Sequence, residues 1–265
     1  MNIDKQLETI QQEKVIQEID PVTVGVVGSV LVVSNFILIL FQSMAIAKQI
    51  KVDPTLTKRL NKILDHPEKY IVHIFKDKSP NAFSMGFGKH IFVTSKLLKM
   101  LSSKEIDAVL LHEVYHSKSK HMYQDLAYTY TTWYLAVFVA FSIPIISLPI
   151  VAIIFFIMTQ LLDIPYRITV GRIHEYNADS YAAKQGYGDY LISAFKKLEG
   201  YGKTLAEKSK KQCGTWCQVI NKVDRALDEH PSDKKRIENI LKVINKLKSA
   251  SYGKIKDFVT KAWNK

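Results

Sequence analysis

Two long stretches of this 265-residue chain contain no charged side chain, and they limit the folds that it can adopt. The first covers residues 22–47 and the second residues 126–162. Since a helix needs about 20 residues to cross the hydrocarbon core of a bilayer, the first stretch is long enough for one tilted transmembrane helix. The second contains Pro144 and Pro149 near its middle. They predict a break between two helical arms, which either span the membrane, form a membrane-inserted hairpin or, in the competing interpretation, form a soluble hairpin.

Basic residues next to the first stretch indicate how the chain is oriented. Lysine and arginine accumulate on the cytoplasmic side of membrane spans. Only Lys5 and Lys14 precede the stretch, whereas Lys48, Lys51, Lys58, Arg59 and Lys62 follow it. A cleaved signal peptide would have a basic start and a shorter apolar segment, so a true anchor is expected. We therefore predict an integral, multi-pass membrane protein with a short extracytoplasmic N-terminus and its body on the cytoplasmic side.

The formal net charge of +12 raises the question of a nucleic-acid partner. No recognisable nucleic-acid module accompanies it, and the excess lysines lie mostly in the flanks and in the C-terminal third. We interpret the charge as a signature of the cytoplasmic face and of contact with membrane lipids, and we expect no nucleic acid. Cys213 and Cys217 are four residues apart and cannot alone provide a four-ligand zinc site, so they are expected to be ordinary thiols.

Hydrophobic periodicity divides the rest of the chain into helices and short strands. Ser102 precedes Glu105 by three residues, the pattern of a capping box at the start of a helix that should run to about residue 120. Gly186 is well placed to end a helix that starts at Tyr166. Further predicted elements are a helix at residues 54–66, strands at 70–75, 82–87 and 90–94, a hairpin turn at Gly88-Lys89, and several amphipathic helices within 187–265.

The predicted capped helix contains the pattern H-E-x-x-H, as His112-Glu113-Val114-Tyr115-His116. Residues four apart lie one turn from each other on the same helix face, so both imidazoles can bind one ion. Glu113 then lies close enough to take a proton from water at the metal, which makes it the expected general base. A surface helix with two solvated histidines is the alternative, and the apolar residues around the motif argue against it.

A catalytic zinc site needs three protein ligands and one open position. The best source of the third ligand is the segment from His174 to Asp179, in which Glu175 and Asp179 share a helix face. One carboxylate can bind the metal while the other holds a ligand histidine through its second ring nitrogen. The spacing alone does not decide between the two carboxylates, and His174 is a further possible ligand.

In combination these motifs resemble the M48 zinc metallopeptidases, and among them most closely the HtpX-type membrane proteases rather than the Ste24 type. The similarity runs in family order from about residue 54 to residue 241. The H-E-x-x-H helix is followed by Arg172-x-x-Glu175-Tyr-x-Ala178-Asp179, and the other matching stretches are Asn81-Ala-Phe-Ser-Met-Gly86, His90-Ile-Phe-Val-Thr-Ser-Lys-Leu-Leu98 and His230-Pro-Ser232 with Arg236-Ile237.

The resemblance implies one Zn²⁺ per chain, with Glu175 as the third ligand beside His112 and His116, and with Asp179 as the supporting acid. His230 is expected either to stabilise the oxyanion or to cap a helix. The resemblance also implies that an edge strand docks an extended substrate by backbone pairing, and that this strand is formed by Asn81, Ala82, Phe83 and Ser84.

Two features depart from the family pattern. Tyr115 stands where relatives often carry a small residue, which narrows the site but leaves the ligands intact. One N-terminal span is visible, whereas HtpX-type proteins have two.

A shared metal ion places a condition on the membrane topology. His116 and Glu175 lie on either side of the uncharged stretch, which must therefore cross an even number of times or return to the side that it left. We predict an α+β fold that is mostly helical, with a small antiparallel sheet packed on the zinc-binding helices, plus transmembrane helices. The predicted segments are 1–21 (extracytoplasmic), 22–47 (transmembrane helix), 48–125 (first part of the peptidase domain), 126–163 (membrane-inserted helical hairpin) and 164–265 (second part of the peptidase domain).

These features predict a membrane-bound zinc-dependent endopeptidase. By resemblance to the HtpX type, its polypeptide substrates are expected to be misfolded membrane proteins, which implies a role in quality control. A processing peptidase of Ste24 type is the alternative enzyme, although such relatives have many more spans than this chain can hold. A non-catalytic membrane adaptor with the same fold is the alternative from another class, and the intact Glu113 argues against it.

Overall fold

The computed structural model describes residues 21–64, 69–85, 89–141, 148–210 and 230–263. Within these ranges the chain is mostly helical and contains a small three-stranded sheet. The strands are β1 (Ile71–Phe75), β2 (Ala82–Met85) and β3 (His90–Thr94). The helices are α1 (Pro21–Gln49), α2 (Pro54–Leu64), α3 (Ser95–Met100), α4 (Ser103–Lys118), α5 (His121–Phe141), α6 (Leu148–Tyr166), α7 (Arg172–Ala182), α8 (Gly188–Lys210) and α9 (Asp233–Trp263).

The chain forms two compact units. Residues 1–42 and 124–166 make up the first, and residues 43–123 and 167–265 make up the second. The first unit contains most of α1 and α5 together with α6, and the second contains the sheet and the remaining helices. The predicted division into five segments stays a prediction. Predictions for residues 1–20, Gly88, Pro144 and the two cysteines fall outside the described residues.

The uncharged stretch at residues 126–162 is called the apolar insert below. In the first unit, polar contacts join α5 to α6 where this insert begins and ends. The Tyr166 hydroxyl donates to Asp125 Oδ1 at 2.9 Å, and the Tyr128 hydroxyl donates to the Leu162 carbonyl at 2.8 Å. The rings of Tyr128 and Tyr166 stack with their centroids 3.7 Å apart. The chain therefore leaves and re-enters this unit at neighbouring points, as a helical hairpin requires.

The helices of the first unit expose large apolar side chains, such as Leu31 on α1 and Phe156 on α6, each 64% exposed. Of the described residues, one helical stretch is long and apolar enough to cross a membrane. It covers Ile153–Glu207 and contains an 18-residue window with a mean hydropathy of 1.4, of which 6% is buried. A shorter apolar helix covers Val26–Ile39 within α1. Exposed apolar surface of this kind is typical of a region that contacts lipid or another protein.

In the second unit, the sheet has the strand order β1-β3-β2 and is mixed. Strand β2 runs antiparallel to β3, with Phe83 opposite Phe92, as the hairpin predicts. Strand β1 runs parallel to β3, so the prediction of a purely antiparallel sheet is wrong. The physical reason is that the chain reverses direction twice between β1 and β3, and β3 then inserts between the other two strands. This order leaves β2 at one edge of the sheet.

Helix α4 forms the centre of the second unit and packs against α7, α8 and β2. Its apolar side chains Ala108, Leu110 and Leu111 are fully buried. The predicted capping box is confirmed, because the Glu105 carboxylate accepts the Ser102 N–H at 2.6 Å at the start of the helix. The H-E-x-x-H segment thus lies in a rigid, buried helix rather than on a solvated surface.

Helix α7 follows a π-helical turn at Arg167–Gly171 and precedes another at Ala183–Tyr187. The second turn contains Gly186 at φ +84°, a left-handed conformation that residues with a Cβ rarely adopt. Gly186 therefore ends the predicted helix where the sequence places it. The path bends there, and α8 runs on from Gly188 to pack against α4.

The Glu105 side chain links the start of α4 to α8 through hydrogen bonds. Its carboxylate accepts the Ser193 hydroxyl at 2.7 Å and the Lys197 ammonium at 2.6 Å. Burial raises the pKa of Glu105, but the hydrogen bonds from Lys197, Ser193 and Ser102 outweigh burial and lower the pKa from 4.5 to about 2. The stabilisation is thus complete above pH 4.5 and is lost as the pH falls towards 2.

We expect Glu105→Gln to lower the free energy of unfolding at pH 7 by about 1–3 kcal/mol. Denaturant titrations in detergent should show this difference shrinking between pH 4.5 and pH 2. Glu199→Gln is the control, since Glu199 forms an exposed ion pair with Lys203 and should change stability by less than about 0.5 kcal/mol. A difference for Glu105→Gln that stays constant across this pH range would contradict the assignment.

Candidate metal centre

Helices α4 and α7 bring His112, His116 and Glu175 together at one point. The two Nε2 atoms of the histidines are 3.1 Å apart. Glu175 Oε1 lies 3.2 Å from His116 Nε2, and Glu175 Oε2 lies 3.6 Å from His112 Nε2. His112 and Glu175 are buried, and His116 is half-buried. Within the described ranges, no other three side chains of the metal-binding types converge in this way.

These separations fit a single zinc ion. Zinc lies about 2.0–2.2 Å from nitrogen and carboxylate oxygen, and a tetrahedral arrangement then puts neighbouring ligand atoms about 3.3–3.5 Å apart. Glu175 Oε2 is buried, with the Arg236 guanidinium at 3.0 Å and His230 Nδ1 at 3.3 Å, and these neighbours favour the charged carboxylate that a metal ion binds. The three side chains can therefore hold a metal ion and leave a position open.

A second carboxylate contacts the His112 ring at Nδ1, the nitrogen that does not face Glu175. Its Nδ1 lies 3.0 Å from Asp179 Oδ1, one turn beyond Glu175 on α7. Burial raises the pKa of Asp179, but hydrogen bonds from Arg236 and His112 outweigh it and keep the pKa below its usual value. Asp179 thus contacts the His112 ring on the side away from Glu175, and its role as the supporting acid stays a prediction.

Arg236 on α9 is a component that sequence reasoning did not identify as a site residue. Its guanidinium binds both oxygens of Asp179, at 2.8 and 2.6 Å, and lies 3.0 Å from Glu175 Oε2. It is buried and lies over the Phe195 ring at 4.2 Å. Buried carboxylates need a cation nearby, but the sequence did not predict that Glu175 and Asp179 are buried, and α9 is too distant in sequence for spacing to identify Arg236.

His230 and His174 take different positions around the ligand group. His230 precedes α9, and its Nδ1 lies 3.3 Å from Glu175 Oε2 while 54% of the side chain is exposed. It therefore lies at the rim of the site, and its role stays a prediction. His174 instead stacks on the ring of His121 at 3.6 Å, with the rings within 4° of parallel. Its partner His121 lies 2.9 Å, Nδ1 to Nδ1, from His116, a contact that the H-E-x-x-H pattern does not signal.

Glu113 lies between the two histidines on α4 and is buried. Burial raises the pKa of its carboxyl above the usual value, while His112 and His116 act in the opposite direction. Glu175 is different, because hydrogen bonds from His116 and His230 outweigh the effect of burial and hold its pKa well below the usual range. One carboxylate is therefore suited to exchange a proton and the other to remain charged.

The edge strand β2 packs against α4, the helix that carries His112 and His116. Asn81 pairs with Thr94, since its carbonyl accepts the Thr94 N–H at 2.9 Å and its N–H donates to the Thr94 hydroxyl at 2.9 Å. Because hydrogen-bonded pairs alternate along an antiparallel ladder, Phe83 also points its backbone groups at β3. The N–H and C=O groups of Ala82 and Ser84 then point to the outer side of the sheet.

The sequence matches the family model described as Peptidase family M48 over residues 47–244. The chain belongs to peptidase family M48. This M48 chain is 25% identical over 223 residues to a protein named Protease HtpX homolog from Campylobacter concisus, with 73% of each chain covered. It is 30% identical over 156 residues to Protease HtpX homolog 1 of Sulfolobus acidocaldarius, which covers 51% of this chain and 50% of the relative.

Among solved structures, the M48 chain resembles that titled "Crystal Structure of S. mikatae Ste24p", with a TM-score of 0.51 and 20% identity. The match covers 80% of this chain and 56% of Ste24p, so the chain spans little more than half of that protein. At this identity the likeness shows a shared fold. The family membership supports a peptidase, and the group of His112, His116 and Glu175 could bind a metal ion.

Proposed function

We propose that this M48 chain is a membrane-bound zinc-dependent endopeptidase. His112, His116 and Glu175 would hold one zinc ion, and Glu113 would act as general base. The observation that carries the proposal is the convergence of three side chains, buried His112 and Glu175 and half-buried His116, from two helices that are separated in sequence by the apolar insert.

The zinc ion, when bound, supplies a Lewis acid that polarises the scissile carbonyl and makes water easier to deprotonate. Glu113 takes a proton from the attacking water as the water oxygen bonds to the carbonyl carbon. The same carboxyl then gives that proton to the leaving amine as the C–N bond breaks. Burial raises the pKa of Glu113, which favours a carboxyl that takes up a proton and releases it again.

His230 is suited to assist this step from the rim of the site. Its half-exposed ring lies beside Glu175, where the polarised carbonyl of a substrate would be. We propose that it stabilises the developing oxyanion, which is the first of the two roles that the sequence allows.

We further propose that a substrate segment adds to β2 as an extra strand. The outward backbone groups of Ala82 and Ser84 can pair with an extended peptide, while Asn81 and Phe83 keep β2 attached to β3. Main-chain pairing gives affinity with little demand on side-chain sequence. Such binding suits a protease that acts on many unfolded segments.

The peptidase is proposed to act at the cytoplasmic face of a membrane. The exposed apolar surfaces of α1 and α6 fit contact with lipid, and the hairpin of α5 and α6 returns the chain to its starting point. The lysines that follow α1 favour a cytoplasmic catalytic unit. Misfolded membrane proteins are the proposed substrates, in keeping with relatives named HtpX.

Glu113→Gln tests the general base. This variant should bind as much zinc as the wild type, because the three ligands are unchanged, but its cleavage of casein in detergent should fall about 10²–10⁴-fold. Glu199→Gln, on the exposed face of α8, is the matched control and should cleave normally. A wild-type chain that binds zinc and cleaves no substrate would indicate a non-catalytic adaptor instead.

Ser84→Pro tests the docking strand. Proline removes one outward N–H but leaves the bonds between β2 and β3, so the fold should persist while kcat/KM for a peptide falls roughly 10-fold. Ser84→Ala removes only the side chain and should retain the wild-type value. Equal kcat/KM values for the Ser84→Pro variant and the wild type, with both folded, would exclude pairing at this edge.

A further inference from the structure

We infer that His121 is a positioning residue, which accepts a hydrogen bond from His116 and so fixes the tautomer and the orientation of that ring. The inference rests on the proposed zinc peptidase function. It assigns a role to a buried histidine outside the H-E-x-x-H segment.

The direction of this hydrogen bond follows from the geometry of His116. Its Nε2 faces the ligand group, 3.2 Å from Glu175 Oε1 and 3.1 Å from His112 Nε2. A nitrogen that binds a metal must present a lone pair, so the single proton of the neutral ring belongs on Nδ1. That Nδ1 lies 2.9 Å from His121 Nδ1, which must therefore be the acceptor.

The turn between α4 and α5 holds His121 in place to accept this bond. Helix α4 ends at Lys118, and Lys120 adopts φ +55°, a left-handed conformation that is uncommon for a residue with a Cβ. The turn folds His121 back beneath His116, where it is 6% exposed. The His174 ring stacks on one face of His121 at 3.6 Å, and the Tyr115 ring packs 5.5 Å from it. This strained turn buries the His121 ring against His116, the proposed metal ligand, which indicates that the position of the ring is functionally important.

The two ligand histidines are thus supported in different ways. His112 Nδ1 meets the Asp179 carboxylate, which Arg236 holds in a bidentate pair. His116 Nδ1 meets an imidazole. Both partners supply an acceptor that keeps Nε2 directed at the ion, as the outer partners of metal-binding histidines generally do. The imidazole does so without adding a negative charge to a site that already contains two carboxylates from α7.

Two substitutions distinguish the contribution of the His121 hydrogen-bond acceptor from that of its aromatic ring. His121→Phe keeps an aromatic ring to stack on His174 but removes the acceptor. His121→Asn removes the ring but places its amide oxygen at the same distance along the side chain as Nδ1. The zinc affinity of the full chain in detergent should fall about 10–100-fold in His121→Phe and return to within a few-fold of wild type in His121→Asn.

Two comparison variants calibrate the assay, which is competition with a chromophoric chelator. Asp179→Leu removes the corresponding acceptor for His112 Nδ1 and should weaken zinc binding at least as much as His121→Phe. His90→Phe removes a histidine that contacts His73 in the sheet and should leave the zinc affinity unchanged. If His121→Phe and His121→Asn weaken binding equally, the ring matters and the acceptor does not, which overturns the inference.

A spectroscopic measurement on the native sequence decides the question if a variant fails to fold. In zinc-loaded protein with ¹⁵N-labelled histidine, the N–H···N bond should give a ¹⁵N–¹⁵N coupling between Nδ1 of His116 and Nδ1 of His121. An unprotonated His116 Nδ1, or a proton there without this coupling, would contradict the inference. If wild type binds no zinc at His112, His116 and Glu175, the proposed function itself fails; if it binds zinc and His121→Phe binds it equally well, only the positioning role fails.

Discussion

The structure depends on the contact between one carboxylate and two imidazoles that are separated in sequence by the long apolar insert. Glu175, His112 and His116 place their ligand atoms within 3.6 Å of each other. Taking a carboxylate out of water is costly unless it is paired, and Glu175 is buried beside His116 and His230. Arg236 offsets part of the charge that α7 brings into the interior. A divalent ion would complete the compensation and would also join helices that are distant in sequence.

The need to bring His112, His116 and Glu175 together explains how the surrounding helices and strands are arranged. Helix α4 is buried along most of its length, so the two imidazoles are held rigidly. In the first unit, α5 and α6 return the chain to its starting point, where Tyr166 contacts Asp125. An insert that starts and ends at neighbouring points can enter an apolar environment without separating His112 and His116 from Glu175. The edge strand β2 then offers two residues with outward-facing backbone groups beside the helix that carries Glu113.

Much of this arrangement can be predicted from local patterns. The H-E-x-x-H spacing identifies His112 and His116, and the capping box at Ser102 and Glu105 identifies the start of their helix. The choice of Glu175 over Asp179 came from the family resemblance, because two carboxylates one turn apart are equivalent by spacing. The structure distinguishes their surroundings, since Glu175 adjoins both Nε2 atoms and Asp179 adjoins His112 Nδ1.

Contacts between segments that are distant in sequence were either not predicted or predicted wrongly. Arg236 reaches Asp179 across 57 positions, and no local pattern encodes that contact. His121 follows a turn whose left-handed Lys120 is not a residue that predicts such a turn. The parallel pairing of β1 with β3 depends on where a strand inserts, which hydrophobic alternation does not specify.

X-ray absorption at the zinc edge, on the purified full chain, would show which atoms bind the ion. We expect one zinc per chain, bound by two imidazole nitrogens and by oxygen at about 2.0–2.2 Å, with loss of the metal in Glu175→Ala. Zinc–sulfur scattering at about 2.3 Å, or a metal retained in full by Glu175→Ala, would contradict it.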